Sequence, residues 1–322
     1  MKRPTMFLTM LLTGLLLGWP HSAASKRVVA EGRQYLSLDE VGYRYGMRAV
    51  DNRMADRKRI LIFQRDKRQF TINGVRYYLG FAPLTGEDGM FLSALDVTKQ
   101  LDPILKPRIV PRHTVRHIVL DPGHGGKDTG ALGARSREKY LTLMIARRVR
   151  DRLVRAGYRV TMTRHTDIAL TLAQRAALAQ ALKADLFVSI HINAVQNASL
   201  SGIETYALSP AGAPSTSGGK AAATVHPGNR CDLNNLALAN MIHRYLLGRT
   251  GGSDRGVKRA RFAVLRDITM PGVLVECGFI TNRAEELRMM TPAYQEKLAR
   301  GIADGITAYR LSILRNPTEL KK

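Results

Sequence analysis

The chain has 322 residues, 45% hydrophobic and 24% charged, which is enough for about two domains with buried cores and excludes a globally disordered chain. Lysine and arginine total 50 against 26 aspartate and glutamate, and the resulting net charge of +24 favours polyanionic partners. Such partners are nucleic acid, an anionic membrane face or an acidic cell-wall polymer. Two cysteines are too few for a disulfide framework, and no apolar run reaches the roughly 20 residues of a membrane-spanning helix.

Residues 1–24 have the pattern of a secretory signal peptide. Lys2 and Arg3 form a charged start, Thr5–Trp19 is an apolar run too short to span a membrane, and small residues precede a cut after Ala24. An uncleaved anchor is the alternative, but the short run and the small-residue exit both favour cleavage. We therefore expect an exported protein, periplasmic or extracellular at the cell wall, with no membrane span after cleavage. Export also argues against nucleic acid as the partner.

Residues 25–107 predict a small α+β accessory domain without a catalytic cluster. Asn73-Gly74, just before the second of two short strands, is a hairpin-turn signal. The predicted strands and helices are Arg59–Phe63, Val75–Leu79, Leu38–Tyr45 and Ser93–Leu101. With Tyr35-Leu36-Ser37-Leu38 and Phe91-Leu92-Ser93, this pattern resembles the stalk domains that are similar to the copper amine oxidase N-terminal domain. The resemblance implies an accessory role, and such a module is expected to engage an envelope partner.

A proline-marked connector at 108–114 precedes a region in which strands and amphipathic helices alternate. The predicted strands are His117–Asp121, Tyr158–Arg164, Leu186–Asn193, Gly202–Leu208, Phe262–Arg266 and Val273–Glu276; the predicted helices are Glu138–Arg155, Thr171–Leu182, Leu233–Leu247 and one that spans Tyr294 to Tyr309. Buried strands separated by such helices indicate an α/β fold, a layered and largely parallel sheet flanked by helices. We expect it to occupy 115–312, with a C-terminal tail at 313–322.

Polar residues follow the predicted strands at the positions where ligands bind in such sheets, beyond the strands' carboxyl ends. His124 lies between glycines that permit close approach of a ligand, and His191 ends an apolar strand. Glu276 ends another strand, and Glu138 opens a helix, where a favourable interaction with the helix dipole is an alternative explanation. Two imidazoles and two carboxylates match the inventory of a mononuclear hydrolytic zinc site.

His113 and His117 are four residues apart but flank or begin a strand, so the helical geometry of a two-histidine metal motif fails for this pair.

A series of motifs over residues 115–311 resembles the zinc-dependent N-acetylmuramoyl-L-alanine amidases. In chain order the motifs are Asp121-Pro122-Gly123-His124-Gly125-Gly126-Lys127-Asp128, Glu138-Lys139, Thr163-Arg164, Ser189-Ile190-His191-Ile192-Asn193, Gly202-Ile203-Glu204 and Pro271-Gly272-Val273-Leu274-Val275-Glu276-Cys277-Gly278-Phe279-Ile280-Thr281-Asn282. The resemblance implies that His124, Glu138 and His191 hold one Zn²⁺ ion and that Glu276 is the catalytic carboxylate, with Glu204 as the rival base. Where many relatives have a glycine before Glu138, this chain has Arg135-Ser136-Arg137, which leaves the path of that loop open.

The implied reaction is hydrolysis of the amide between N-acetylmuramic acid and the L-alanine of a peptidoglycan stem, in cell-wall remodelling or daughter-cell separation. Two other functions stay open at this stage. One is a non-enzymatic basic protein with an amidase-like fold that binds peptidoglycan or another polyanion. The other is a zinc peptidase that cuts within the stem peptide. Peptidoglycan is the expected partner.

Several further residues have two interpretations each. Asp121, Asp128 and Asn193 orient the histidines or form turns and caps, and two arginines, Arg164 and Arg175, face an anionic stem peptide or form salt bridges within the fold.

Cys231 and Cys277 are free or bonded to each other. The segment 209–229, where some relatives insert a helix that covers the zinc site, is rich in proline, glycine and serine, and this predicts a loop.

Overall fold

The computed structural model describes residues 26–314, which form two compact units divided between Leu105 and Lys106. The predicted signal peptide and the tail beyond residue 314 lie outside the described residues. Within the described part, no helix is both long enough and apolar enough to cross a membrane.

The first unit contains two antiparallel arrays of strands, β1-β2-β9-β8 and the meander β3-β4-β5-β6-β7. Its elements are β1 Arg27–Ala30, β2 Arg33–Ser37, α1 Leu38–Tyr45, β3 Arg48–Val50, β4 Arg53–Ala55, β5 Ile60–Phe63, β6 Gln69–Ile72, β7 Val75–Tyr78, β8 Leu84–Gly86, β9 Gly89–Ser93, α2 Ala94–Asp96, a π-helical turn Val97–Leu101 and α3 Asp102–Leu105. Asn73 and Gly74 both have positive φ, 49° and 82°, as a two-residue hairpin turn requires. The aromatic rings of Phe63 and Phe70 stack at 5.2 Å in the core of the meander.

The second unit is a six-stranded sheet in the order β11-β10-β12-β15-β13-β14. Its elements are a 3₁₀ turn Pro107–Ile109, β10 His117–Pro122, α4 Glu138–Arg155, β11 Arg159–Met162, α5 Leu172–Ala181, β12 Leu186–Asn193, β13 Ile203–Leu208, a 3₁₀ turn Pro227–Cys231, α6 Asp232–Thr250, β14 Asp254–Ala260, α7 Ala263–Arg266, β15 Gly272–Phe279, α8 Arg283–Met289 and α9 Pro292–Leu314. All neighbouring strands are parallel except β13 and β15, which are antiparallel. The expected α/β fold with a largely parallel sheet is confirmed.

Helices cover both faces of this sheet, which explains its nearly continuous apolar strands. On one face, Val119, Phe187 and Leu274 pack with Ala176 and Ala179 of α5 and with the apolar side chains of α7. Helices α4, α6 and α9 pack against one another and supply the second layer: α4 contacts β10 and β12, and α6 contacts β13 and β15. Because β10, β12 and β15 are parallel, their carboxyl ends meet at one edge of the sheet.

The predicted strand Phe262–Arg266 is wrong, because Ala263–Arg266 forms the short helix α7, and the strand at this point of the chain is β14. The two large apolar residues of α7 are buried in the core. Two adjacent apolar residues are also typical of a short buried strand, so the sequence does not distinguish the two structures here. The missed strand, Asp-Arg-Gly-Val-Lys-Arg-Ala, has few apolar residues. Arg255 and Lys258 pair with Glu204 on β13, and these tertiary ion pairs place charged residues in a sheet.

Two further results concern the segments that connect the strands and the long helices. The loop predicted for residues 209–229 is confirmed over 209–226, which contain no helix, whereas residues 227–229 belong to the 3₁₀ turn Pro227–Cys231. Helix α8 was not predicted; Asn282 caps it by accepting a hydrogen bond from the Glu285 amide at 3.1 Å.

Candidate metal centre and active site

Three side chains from separate segments converge at the carboxyl ends of β10 and β12. His124 lies in the loop after β10, Glu138 is the first residue of α4, and His191 is the sixth residue of β12. His124 Nε2 lies 3.1 Å from Glu138 Oε2, and His191 Nδ1 lies 2.9 Å from Glu138 Oε1. One ligand atom from each of the three residues lies within 4.8 Å of the others. The fold therefore brings together the three residues that the resemblance implies as metal ligands.

Glycines make this convergence sterically possible. A Cβ atom on Gly123 would lie 2.3 Å from His191 Cε1, and one on Gly130 would lie 2.6 Å from Glu138 Oε2. His124 itself adopts a left-handed backbone with φ of 60°, a conformation that costs free energy for a residue with a side chain. The glycine-rich loop is therefore shaped to bring the two imidazole rings and one carboxylate together.

Glu138 is held as a carboxylate. Besides both histidines, it accepts hydrogen bonds from the amides of Ala131 at 2.9 Å and Ile192 at 3.0 Å. Burial alone would raise the pKa of Glu138, but its contacts with His124 and His191 outweigh burial and lower that pKa far below the ordinary value. A nearly buried, ionised carboxylate between two imidazoles is a donor set that suits a divalent transition metal such as Zn²⁺.

Asp128 contacts His124 and also stabilises a turn by accepting a hydrogen bond from the Gly130 amide at 3.1 Å, so both interpretations of this aspartate hold. Its Oδ2 atom lies 2.9 Å from His124 Nδ1, so the opposite ring nitrogen is the one that faces Glu138. Burial would lower the pKa of His124, but its contacts with Glu138 and Asp128 together raise it. Asp121 and Asn193 do not contact either histidine through any described hydrogen bond: Asp121 accepts from Thr163, Arg175 and Ser189, and Asn193 donates to Glu204.

Glu276 is the register partner of His191 across β12 and β15. Its Oε2 atom is buried and makes no hydrogen bond within residues 26–314. Burial raises the pKa of Glu276 well above its ordinary value, and the nearby carboxylates of Glu138 and Glu204 raise it further. A buried carboxyl group whose neutral form is favoured therefore lies beside the cluster of ligands.

Glu204, the rival base, is the antiparallel register partner of Glu276. It accepts hydrogen bonds from Tyr206 at 2.7 Å and Asn193 at 3.0 Å, and it pairs with Lys258 at 2.5 Å and Arg255 at 3.2 Å. Burial would raise its pKa, but Lys258 and the other donors lower it. All of these contacts favour a permanently ionised carboxylate that is fully engaged within the fold.

Arg164 and Arg175 lie beneath the loop that carries His124, and this decides between their two interpretations. Arg164 donates to the carbonyls of Pro122 at 3.0 Å and Gly123 at 2.8 Å, while Arg175 donates to the carbonyl of His124 at 2.8 Å and pairs with Asp121 at 2.7 Å. Both are almost completely buried, with 1% and 3% of their surface exposed. They support the loop from within and do not face a substrate.

The remaining candidates lie elsewhere. His113 packs near the ring of Tyr309, and His117 Nε2 lies 2.9 Å from the hydroxyl of Thr161. Both cysteines are free, so the alternative of a disulfide between Cys231 and Cys277 is wrong for this structure.

The loop before Glu138 is held in place by a buried glutamate. The sequence analysis did not identify this residue. Glu286, on α8, accepts hydrogen bonds from the amides of Arg135 at 2.6 Å and Ser136 at 2.8 Å and pairs with Arg283 at 3.0 Å. This clamp defines the loop path that the sequence left open. No local signal could have revealed it, because the partners are about 150 residues apart.

A layered α/β sheet with two histidines and a glutamate at its strand ends, beside a separate protonatable carboxyl group, has the inventory of a metal-dependent hydrolase. The sequence profile described as N-acetylmuramoyl-L-alanine amidase matches residues 118–308. The chain belongs to this family.

Individual relatives agree with the family assignment. N-acetylmuramoyl-L-alanine amidase AmiC of Escherichia coli O6:H1 is 36% identical over 245 residues, which cover 66% of this chain and 58% of AmiC. AmiA of Escherichia coli K12 is 35% identical over 229 residues, 63% of this chain and 79% of AmiA. Among solved structures, the catalytic domain of the amidase CwlV from Paenibacillus polymyxa var. colistinus matches with a TM-score of 0.52 and 36% identity, covering 61% of this chain and 98% of CwlV. The chain thus spans somewhat less than two thirds of AmiC.

Proposed function

We propose that the protein hydrolyses the amide bond between N-acetylmuramic acid and L-alanine in peptidoglycan, with one Zn²⁺ ion held by His124, Glu138 and His191. The observation that carries the proposal is the convergence of these three side chains, with ligand atoms within 4.8 Å, beside the unpaired carboxyl of Glu276. When bound, Zn²⁺ supplies Lewis-acid polarisation of the scissile carbonyl and makes water acidic enough to react near neutral pH.

Glu276 moves the proton in this mechanism. Its carboxylate accepts a proton from the attacking water and returns it to the leaving nitrogen of L-alanine, which is necessary because an amine anion is a poor leaving group. Asp128 supports the step by holding His124 in one orientation.

We also propose that the protein acts outside the cytoplasm. The pattern of residues 1–24 supports export, and the net charge of +24 is complementary to an anionic wall polymer. The first unit, which is compact by itself and carries none of the proposed site residues, is proposed to engage the wall or an envelope partner.

The decisive experiment is mass spectrometry of purified peptidoglycan after digestion with the Zn²⁺-loaded chain. An amidase releases intact stem peptides, a peptidase releases shortened stems, and a binding protein releases nothing. The matched control is the Glu276→Gln variant, which we expect to bind the polymer and release almost no stems. Shortened stems, or no products from the unmodified chain, would contradict the proposed reaction.

A further inference from the structure

An open concavity of about 360 Å³ lies next to the metal-ligand cluster, and the mechanism above does not use it. We call it the loop pocket. Its lining includes Leu132, Val195, Gln196, Thr281, Arg283 and the acidic Glu286, together with the almost completely buried Ile280. These residues come from the loop before α4, the loop after β12, and the loop between β15 and α8 together with the start of α8.

The loop pocket adjoins the site along the chain. The amide of Ala131 donates to Glu138 Oε2 at 2.9 Å, and the next residue, Leu132, lines the pocket. Consecutive Cα atoms are about 3.8 Å apart, so the pocket begins within one residue of a proposed metal ligand. Val195 and Ile280 lie four residues beyond His191 and Glu276, on the loops that continue their strands. A substrate bound across the cluster would extend into this pocket.

The walls of the pocket are held in place before any ligand arrives. The amide of Ile280 donates to the carbonyl of Asn193 at 2.9 Å, and the amide of Val195 donates to the hydroxyl of Thr281 at 3.3 Å. Glu286 clamps the third loop through its two amide hydrogen bonds. Such preorganised walls favour binding of a ligand of defined shape.

The chemistry of the pocket is apolar within and cationic at the rim. Leu132 is 63% exposed, although it is a large apolar residue beside a polar site. The charge of Glu286 is engaged by backbone amides and by Arg283, and the side chain of Arg283 stays 47% exposed. Two further cations, Arg135 and Arg137, are exposed on the adjoining loop. None of the residues that line the concavity is aromatic, which disfavours stacking of a sugar ring there.

We propose that the loop pocket binds the stem peptide on the leaving-group side of the scissile amide. Alanine methyl groups pack on Leu132 and Val195, and a stem carboxylate binds Arg283 at the rim. This proposal rests on the proposed function and adds to it the side of the site on which the peptide lies. The glycan then lies on the other side of the metal ligands, away from these loops.

The test is a calorimetric titration of the full chain, loaded with Zn²⁺ and carrying Glu276→Gln so that ligands bind without being cut. The probes are the free peptide L-alanyl-γ-D-glutamyl-L-lysine and the amide of N-acetylmuramic acid. We expect Arg283→Gln to weaken peptide binding about three- to ten-fold, the usual worth of a charge-assisted contact that is partly exposed. Binding of the muramic acid amide should not change.

Arg288→Gln is the matched control. Arg288 lies on the same helix, forms the same kind of i,i+3 ion pair with Glu285 at 3.4 Å, and does not line the pocket. It should leave peptide binding unchanged. Arg283→Lys should restore part of the peptide affinity. Leu132→Ser should lower the peptide affinity without changing how that affinity depends on salt, because the contact that Leu132 makes is apolar. A thermal melt of each variant verifies that it is folded.

Two results would overturn the assignment of the pocket: unchanged peptide affinity in Arg283→Gln, or an equal loss of affinity for the muramic acid amide, which would place the glycan there. Failure of the proposed function looks different. In that case the unmodified chain releases no intact stems from peptidoglycan, whatever the titration of the free peptide shows.

Discussion

His191 and Glu276 are paired in register on two adjacent parallel strands, β12 and β15. Side chains of register partners project to the same face of a sheet, with Cβ atoms about 5 Å apart. The position of the proposed acid–base group relative to a proposed metal ligand is therefore determined by strand pairing. Loops contribute His124 and shape the approach to Glu138.

The first prediction follows from this pairing. Glu276→Gln keeps the size of the side chain and removes the proton acceptor, so we expect metal content to stay at the level of the unmodified chain. Turnover should fall by about 10²–10⁴, the usual contribution of a positioned general base. Stem release and elemental analysis on the same samples provide both readouts. Full activity in this variant would transfer the role to Glu204.

The second prediction concerns the metal. His124→Ala or His191→Ala should each lose Zn²⁺ and hydrolysis together, because each removes one of the three proposed protein ligands. His165→Ala, at an exposed histidine outside the cluster, is the control and should retain both. Elemental analysis after dialysis measures the difference. Stoichiometric Zn²⁺ in both ligand variants would exclude the proposed site.

The third prediction tests the glycine loop. In Gly123→Ala the new methyl group would lie 2.3 Å from the ring of His191, so the ring must move, and we expect Zn²⁺ affinity to fall at least ten-fold. The control is Gly248→Ala in α6, where a Cβ atom meets nothing within 4 Å. It should keep Zn²⁺ affinity and raise the free energy of unfolding by about 0.5–1 kcal/mol. Equal Zn²⁺ affinity in the two variants would show that the loop adapts to the added methyl group.

The fourth prediction concerns the buried arginine below the loop. Arg175→Met leaves Asp121 buried without its cation, which should lower the free energy of unfolding by about 3–5 kcal/mol. Arg150→Met removes an exposed ion pair with Asp151 and should cost no more than about 1 kcal/mol. Urea unfolding compares the two. A loss below about 1 kcal/mol in Arg175→Met would mean that the pair with Asp121 does not stabilise the loop.

The fifth prediction uses pH. Burial would raise the pKa of Glu286, but the amides of Arg135 and Ser136 and the guanidinium of Arg283 lower it. A carboxyl group with a lowered pKa stabilises the fold above the unfolded value, about 4.3, and this stabilisation is lost as the pH falls through the folded pKa. The excess stability of the unmodified chain over Glu286→Gln should therefore be largest at neutral pH and shrink below about pH 4.

Glu285, the preceding residue, provides a control of opposite sign. Burial raises its pKa despite amide donors from Phe279 and Gly202, so its ionised form disfavours folding. The stability of the unmodified chain relative to Glu285→Gln should rise as the pH falls toward the unfolded pKa. Urea unfolding at several pH values measures both slopes, and parallel slopes would contradict the assignment.

Elements with strong internal periodicity were predictable from sequence. The bounds of α4 and β12 agree with the predicted Glu138–Arg155 and Leu186–Asn193, because each buries a regular apolar pattern of its own. Strand β14 could not be recognised in this way. It has few apolar residues, and its Arg255 and Lys258 pair with a glutamate on another strand, a contact that leaves no local pattern.

The residues of the candidate site also differ in whether the sequence could predict them. His124, His191 and Glu276 are unusual where they stand, at glycine turns and at the ends of apolar strands, so their residue types alone were informative. Glu286 is an ordinary glutamate in a short helix, and its role exists only because folding brings Arg135 and Ser136 to it. Contacts between distant segments of this kind cannot be inferred from spacing.

Strands and loops have different roles at the site, and this difference has an evolutionary consequence. Two of the proposed chemical groups, on β12 and β15, are fixed by pairing inside the sheet, whereas the walls of the loop pocket are short connections between regular elements. Replacements in these connections can alter what the loop pocket binds and leave the reacting groups where they are. A lineage with this scaffold can therefore change its ligand preference through a few surface substitutions.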